Sequence, residues 1–359
     1  MVAVYALTHF LVDFACAFLI FRSFDSSENL YISFLIYNFC AFALQMPLGL
    51  LADKFNKNAL CAVCGCILVA SAFGFTAIPA ASAVLAGVGN GLFHIGGGID
   101  VLNASHGKAG ALGVFVSPGA LGIFLGKLLG KQSVVPEILV ILVVLAASAL
   151  ILLLRFKKGK SFASGNAPLA FGRAGAPVAL AAAACLFLVV CLRSYVGMTL
   201  SFPWKGEWYW SWALISAVVL GKTAGGFLAD RFGATGTSVV SLALSAALFL
   251  LPDIPLAGVA ALFLFNMTMP VTLWAMAQLF PGAKGFSFGL LTFGLFLGFM
   301  PVYLDYPPII ETGAGFALAT IFSLVLLFTG LRLLISHKRH VAGTRPVDRT
   351  LLDSRGRDT

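Results

Sequence analysis

The sequence predicts an all-α membrane protein, twelve transmembrane helices arranged as two pseudo-symmetric six-helix bundles. Three observations carry this expectation. The chain is 60% hydrophobic and 10% charged, with 33 Phe, a composition far from that of soluble domains. Its apolar runs, cut at charged, Pro or Gly punctuation, number twelve, and a spanning helix needs about 20 mostly apolar residues. Finally, a charged turn, GLLADKFNK from Gly49 to Lys57, returns as GFLADRFGA from Gly226 to Ala234.

Taken in order, the expected spans are 3–22, 30–52, 58–79, 81–101, 109–129, 136–154, 177–201, 208–229, 236–252, 255–279, 285–304 and 313–335. The first run lacks a charged leader and a small-residue cleavage site, so it is expected to stay as a permanent helix. Between the sixth and seventh runs lies RFKKGKSFASGNAPLAFGRAGAP, basic and rich in Gly, Ser and Ala, which reads as a linker. The expected organisation is a bundle at 1–154, a cytoplasmic linker at 155–176, a second bundle at 177–336 and a mobile or loosely docked tail at 337–359. Twelve crossings put both termini on one side. That side collects Lys54, Lys57, Lys108, Arg155, Lys157, Lys158, Lys160, Arg173, Arg231, Lys284, Arg332, Lys338 and Arg339, whereas the other has Arg22, Lys127, Lys131 and Lys205. By the positive-inside rule the termini are expected to be cytoplasmic. The net charge of +9 then reports topology, and no nucleic-acid partner is expected.

Polar residues inside spans are costly and face a cavity or a partner. The first span carries His9 and Asp13, the fourth Asn90 and His94, the seventh Arg193 and the tenth Asn266, with Asn38, Gln45, Lys222 and Gln278 elsewhere. At 1.5 Å per residue, Asp13 lies about 15 Å into its helix, near the bilayer centre. His9 is one turn away on the same face, and Asn90 and His94 repeat that spacing. Asp13 is therefore the expected proton carrier, with His9 and His94 as coupling partners; the alternative is a static ion pair holding helices together. Arg193 keeps its charge and pairs two-pronged with carboxylate or phosphonate groups, making it the expected anion anchor, with Asn90 and Asn266 beside it; the alternative is a partner for Asp13 or a snorkelling side chain. Lys222 is expected to snorkel to the nearer surface.

The repeated Gly-x-Leu-Ala-Asp-(Lys/Arg)-Phe turn follows the second span of each half. It resembles the loop signature of the major facilitator superfamily, and the resemblance extends to twelve spans, a six-plus-six split and cytoplasmic ends. It implies a central cavity lined by the first, fourth, seventh and tenth helices. It also implies gating roles for Asp53 with Lys54 and for Asp230 with Arg231, each carboxylate ending a helix where it can receive a neighbouring helix N-terminus. Asn56 stands where the family has Gly, and Asn is the non-Gly residue most tolerant of a left-handed backbone. HFLVDF at His9 to Phe14, GNGLFHIGGG at Gly89 to Gly98 and CLRSYVG at Cys191 to Gly197 are similar to the fosmidomycin-resistance branch, which implies proton-driven export. Ile95 stands where that branch has Pro.

Cys61, Cys64 and Cys66 share one helix, whose period turns Cys66 away from the other two. They are read as packing residues, and no metal or cofactor is expected. Gly113, Pro118, Gly119, Gly122 and Gly126 mark the fifth span as a candidate for a bend. Trp204, Trp208, Tyr209, Trp210 and Trp212 read as an outer interfacial belt. There is no phosphate-binding Gly-x-x-x-x-Gly-Lys-Ser/Thr loop and no catalytic constellation, so an enzyme is not expected. The expected protein is a monomeric secondary transporter of the bacterial inner membrane, exchanging protons for a small organic, anionic solute or drug. Proton-coupled uptake is the alternative direction, and a non-transporting receptor or scaffold the alternative class.

Overall fold

Helix begins at the second residue, because nothing in Val2 to Ser23 opposes it: one apolar stretch without Pro or Gly. The computed structural model describes residues 1–24, 27–158, 169, 171 and 176–343. Twelve helical rods run through it. They are α1 (Val2–Ser23), α2 (Ser27–Asn38, a π-helical turn Phe39–Ala43, then Gln45–Phe55), α3 (Asn58–Ala72), α4 (Pro79–Ala104), α5 (Gly110–Gln132) and α6 (Glu137–Lys158). The second half has α7 (Ala176–Thr199), α8 (Trp208–Phe232), α9 (Ala234–Phe249), α10 (Pro255–Asn266, then Thr268–Leu279), α11 (Lys284–Tyr303) and α12 (Gly313–Gly343). Ten are long and apolar enough to cross a membrane. The other two are the shorter α9 and α4, whose glycines, Asn90 and His94 lower its apolarity.

Prolines explain where rods bend. A Pro ring clashes with the carbonyl four residues back. Pro47 therefore meets the π-helical turn ending at Ala43, and Pro270 meets the break at Asn266, where Met267 bonds back only to Leu264. Pro118, by contrast, sits inside a continuous α5. The glycines expected to bend α5 serve close packing: a side chain at Gly122 or Gly126 would strike the backbone of Phe10 or Phe14 in α1. These two helices share the most extensive contact among the rods, as small residues on one face allow.

Two seams join the halves, α2 against α11 and α5 against α8. The repeated turn belongs to these seams. Gly49 abuts Gly285, and Gly226 abuts Ala109 and Gly110, so closely that a methyl group would not fit at either. One turn further along each helix comes the aspartate. Asn56 ends α2 in the left-handed conformation, φ 51° and ψ 44°, while Gly233 ends α8 at φ 88°. Most of the linker expected at 155–176 lies outside the described residues. The tail expected from 337 instead continues α12 to Gly343, with Lys338 Nζ donating to Gln278 Oε1 at 2.7 Å; residues 344–359 are outside the description.

Candidate functional site

A cavity of about 740 Å³ lies between the halves, within the range that holds a small organic ligand. Its lining comes from α1, α2, α4, α5, α7, α8, α10 and α11; α3, α6, α9 and α12 stand outside it. It extends from His9, Asp13 and His94 at mid-depth to the exposed Lys127, Lys131 and Lys205 at the end away from the termini. Arg193, Lys222 and Asn266 also line it, among mainly apolar neighbours such as Phe42, Phe265 and Phe288.

His9, Asp13 and His94 meet on one wall. His9 Nδ1 lies 2.7 Å from the Phe115 carbonyl oxygen and His94 Nδ1 lies 2.8 Å from that of Asn90. A carbonyl oxygen only accepts, so each Nδ1 carries the proton. The two Nε2 atoms then face each other at 2.8 Å. A proton arriving at either Nε2 can be shared between the two rings at this distance. Asp13 stands beside both rings: Oδ2 is 3.1 Å from His9 Nε2 and Oδ1 3.7 Å from His94 Nε2, and Oδ1 accepts from Asn90 Nδ2 at 2.8 Å. Three ligand-type atoms of this cluster lie within 4.8 Å of one another. The Nε2···Nε2 spacing is that of an N–H···N bond. Around a tetrahedral ion with bonds of 2.0–2.1 Å, two nitrogens would stand about 3.3 Å apart.

Gly119 makes the cluster possible, since a Cβ there would strike both His9 Nε2 and Asp13 Oδ2. Gly119→Ala should therefore displace both side chains and abolish proton coupling, with a stability loss of about 1–3 kcal/mol from overpacking. Thermal unfolding beside a transport assay separates the two effects; a fully coupled Gly119→Ala protein would contradict this geometry.

Several expected residues take other places. Asn90 was expected to face the solute; it does not line the cavity, and its amide holds Asp13. Lys222 was expected to snorkel, yet it lines the cavity, because α8 presents that face to the gap beyond the seam glycines. Lys54 and Arg231, expected beside the gate, are exposed and lie over the rings of Phe55 and Phe232. Trp208, Tyr209 and Trp212 are exposed, whereas Trp204 turns inward and donates to the Pro252 carbonyl at 2.9 Å. Arg193 is 8% exposed; its Nη2 donates to Thr268 Oγ1 at 2.6 Å, and its Nε has no hydrogen-bond partner.

Each repeated aspartate reaches across a seam. Asp53 Oδ1 and Oδ2 accept from the N–H groups of Gly285 and Phe286 at 2.8 and 2.9 Å, at the start of α11. Asp230 Oδ1 and Oδ2 accept from those of Ala109 and Gly110 at 2.7 and 2.8 Å, at the start of α5. A carboxylate on a helix N-terminus satisfies orphan donors and the helix dipole together. Sequence reasoning overlooked Asp100, buried on α4, which accepts from Tyr5 Oη at 2.6 Å and Asn58 Nδ2 at 3.0 Å. The signal was available: a carboxylate inside the fourth expected span.

With this geometry in hand, comparison with known structures places the fold. A major facilitator superfamily transporter, FucP, in the outward conformation matches with TM-score 0.62 and 16% identity, over 92% of this chain and 98% of that one. A variant of the E. coli fucose:proton symporter matches with TM-score 0.56 and 14% identity, over 90% and 97%. A bacterial homologue of the iron transporter ferroportin, outward-facing with soaked iron, matches with TM-score 0.58 and 14% identity, over 94% and 99%. No protein-family model and no curated protein matches the sequence. The chain is an all-helical membrane protein. Its fold is that of the major facilitator transporters.

Proposed function

We propose that the chain is a secondary active transporter that exchanges protons for a small organic anion by alternating access, bundle 1–154 rocking against bundle 177–336. The observation that carries this is the close contact of His9, His94 and Asp13, lying on the wall of a cavity between the halves. Three protonatable atoms in hydrogen-bonding sequence at mid-depth are a site a proton can enter and leave, and such groups inside a membrane mark proton pathways. Arg193, at the same cavity with an unused Nε, is the anion anchor, with Asn266 beside it. The termini and the bonds of Asp53 and Asp230 lie at the cytoplasmic end by the charge bias of the loops. The cavity described above then faces outward. Export is the direction the branch resemblance supports, in keeping with a drug-resistance exporter of a bacterial inner membrane working as a monomer.

The test is reconstitution. Anions that raise the melting temperature of the purified protein are added to proteoliposomes containing a pH-sensitive dye. Substrate-dependent proton flux, reversed by reversing the solute gradient, is expected. Anions that bind but move no protons and are not transported would leave a receptor in place of a transporter. Arg193→Lys keeps the charge but loses the planar fork, so it should weaken anion binding about tenfold, or 1.4 kcal/mol; titration calorimetry reads this directly.

A further inference from the structure

The cavity holds more positive charge than the protein neutralises. Among the described residues the ion pairs are His9 with Asp13, His94 with Asp13, and Arg22 with Glu137. None involves Arg193 or Lys222, both of which line the cavity. Arg193 is more than nine-tenths buried, and its Nε lacks any hydrogen-bond partner. Its Nη2 reaches only the hydroxyls of Thr268 and Thr272. The one acid at this level, Asp13, is already engaged by the two imidazoles and Asn90. A cation held away from water is costly unless an anion accompanies it; Arg193 is buried, and the half-buried Lys222 shares its space.

Their placement is informative. Arg193 lies 17 residues into α7 from Ala176, about 26 Å from that end, and Lys222 lies 10 residues from the end of α8 at Phe232, about 15 Å from the same side. The offset of about 11 Å is one that two long side chains reaching toward each other can close on a single anionic group. Lys222 is also level with Asp13, which lies 11 residues, about 16 Å, into α1. The remainder of the wall is mainly apolar, from Phe42, Phe124, Phe265, Phe288, Met269 and Phe299. Exposed Lys127, Lys131 and Lys205 at the wide end add a positive approach that concentrates anions.

Resting on the transporter reading, we infer that Arg193 and Lys222 together form a head-group site for an amphipathic dianion, a doubly charged phosphonyl or phosphoryl group or a dicarboxylate carrying an apolar body. Arg193 binds one pair of oxygens through its fork; Lys222 neutralises the second charge beside the proton cluster. A proton loaded onto that cluster and a dianion at Lys222 then meet at one depth, where each is sensed by the other.

The experiment measures binding to the full-length protein in nanodiscs at pH 8, by calorimetry, with phenylphosphonate and phenylsuccinate as dianions and benzoate as the monoanion of similar body. A dianion is expected to bind at least tenfold more tightly than benzoate. Lys222→Gln should weaken the dianions far more than benzoate and so erase that preference, Lys222→Arg should restore it, and Arg193→Gln should weaken all three. The two dianions distinguish the sources: preference for phenylphosphonate alone assigns the site to phosphorus oxyanions, and preference for phenylsuccinate alone to dicarboxylates. Absence of dianion preference in the wild-type protein overturns the inference, as does its persistence in a folded Lys222→Gln variant. Proton flux reports separately. A protein that couples protons to a monoanion keeps the transporter reading and loses this one, whereas dianion binding without flux or transport does the reverse.

Discussion

Asp13→Asn should abolish proton-driven transport while sparing counterflow exchange of solute across the same proteoliposome membrane. Asn matches the shape of Asp and can still meet the Asn90 amide, so the helices should pack as before. What it lacks is a titratable carboxylate and its negative charge beside His9 and His94, whose Nε2 atoms lie 2.8 Å apart. Without it, a proton passing through either imidazole meets no counter-charge in the apolar layer. The third stop of the relay, Asp13 Oδ2 at 3.1 Å from His9 Nε2, is lost with it. A fall of about 100-fold or more in proton-driven flux is expected, the scale seen when a proton-transfer group is removed. Counterflow needs only the solute site and the rocking of the halves, so it should persist. Unchanged coupling in this variant would remove the cluster from the proton path.

Asp53→Ala and Asp230→Ala should each unlock the end that carries the termini. Each aspartate accepts two backbone N–H bonds across a seam between the halves, and hydrogen bonds to a charged group contribute about 1.5–3 kcal/mol each. Loss of one pair should cost the closed arrangement about 3 kcal/mol, shifting the equilibrium between the two forms by ~100-fold. Spin labels at Lys57 and Phe232, exposed positions on opposite halves, should report a longer distance in either variant, in a background where reactive native cysteines are replaced. Distances unaltered even in the double variant would mean the seams are held by packing alone. The glycines strengthen the case: Gly49 and Gly226 permit an approach that any side chain would prevent, so close contact and carboxylate bonds form or break together.

Much of this was legible in the residues. Spans were read from apolar length, and the duplicated turn showed the two halves because a motif needed at two equivalent seams is written twice. His9 with Asp13, and Asn90 with His94, announced themselves as polar groups at one-turn spacing inside apolar helices. Their partners did not. That Asn90 turns to Asp13 rather than to the cavity depends on the rotation of α4 about its axis, which a helix with glycines on several faces leaves undetermined. Lys222 looked like a snorkelling side chain because depth along α8 is readable from the sequence while the direction of its face is not.

By itself, the amino-acid order determined a membrane protein of two six-helix halves with ionisable groups at mid-depth, since hydropathy and periodicity act along the chain. Only tertiary structure decided which groups meet. The imidazole pair depends on how closely α1 approaches α4 and on Gly119 of α5 leaving space beside them. That Arg193 and Lys222 have no carboxylate within ion-pair distance among the described residues is visible only once the side chains are placed. Charge balance inside an apolar layer is a property of neighbours in space, and the chain brings those neighbours from helices far apart in its length.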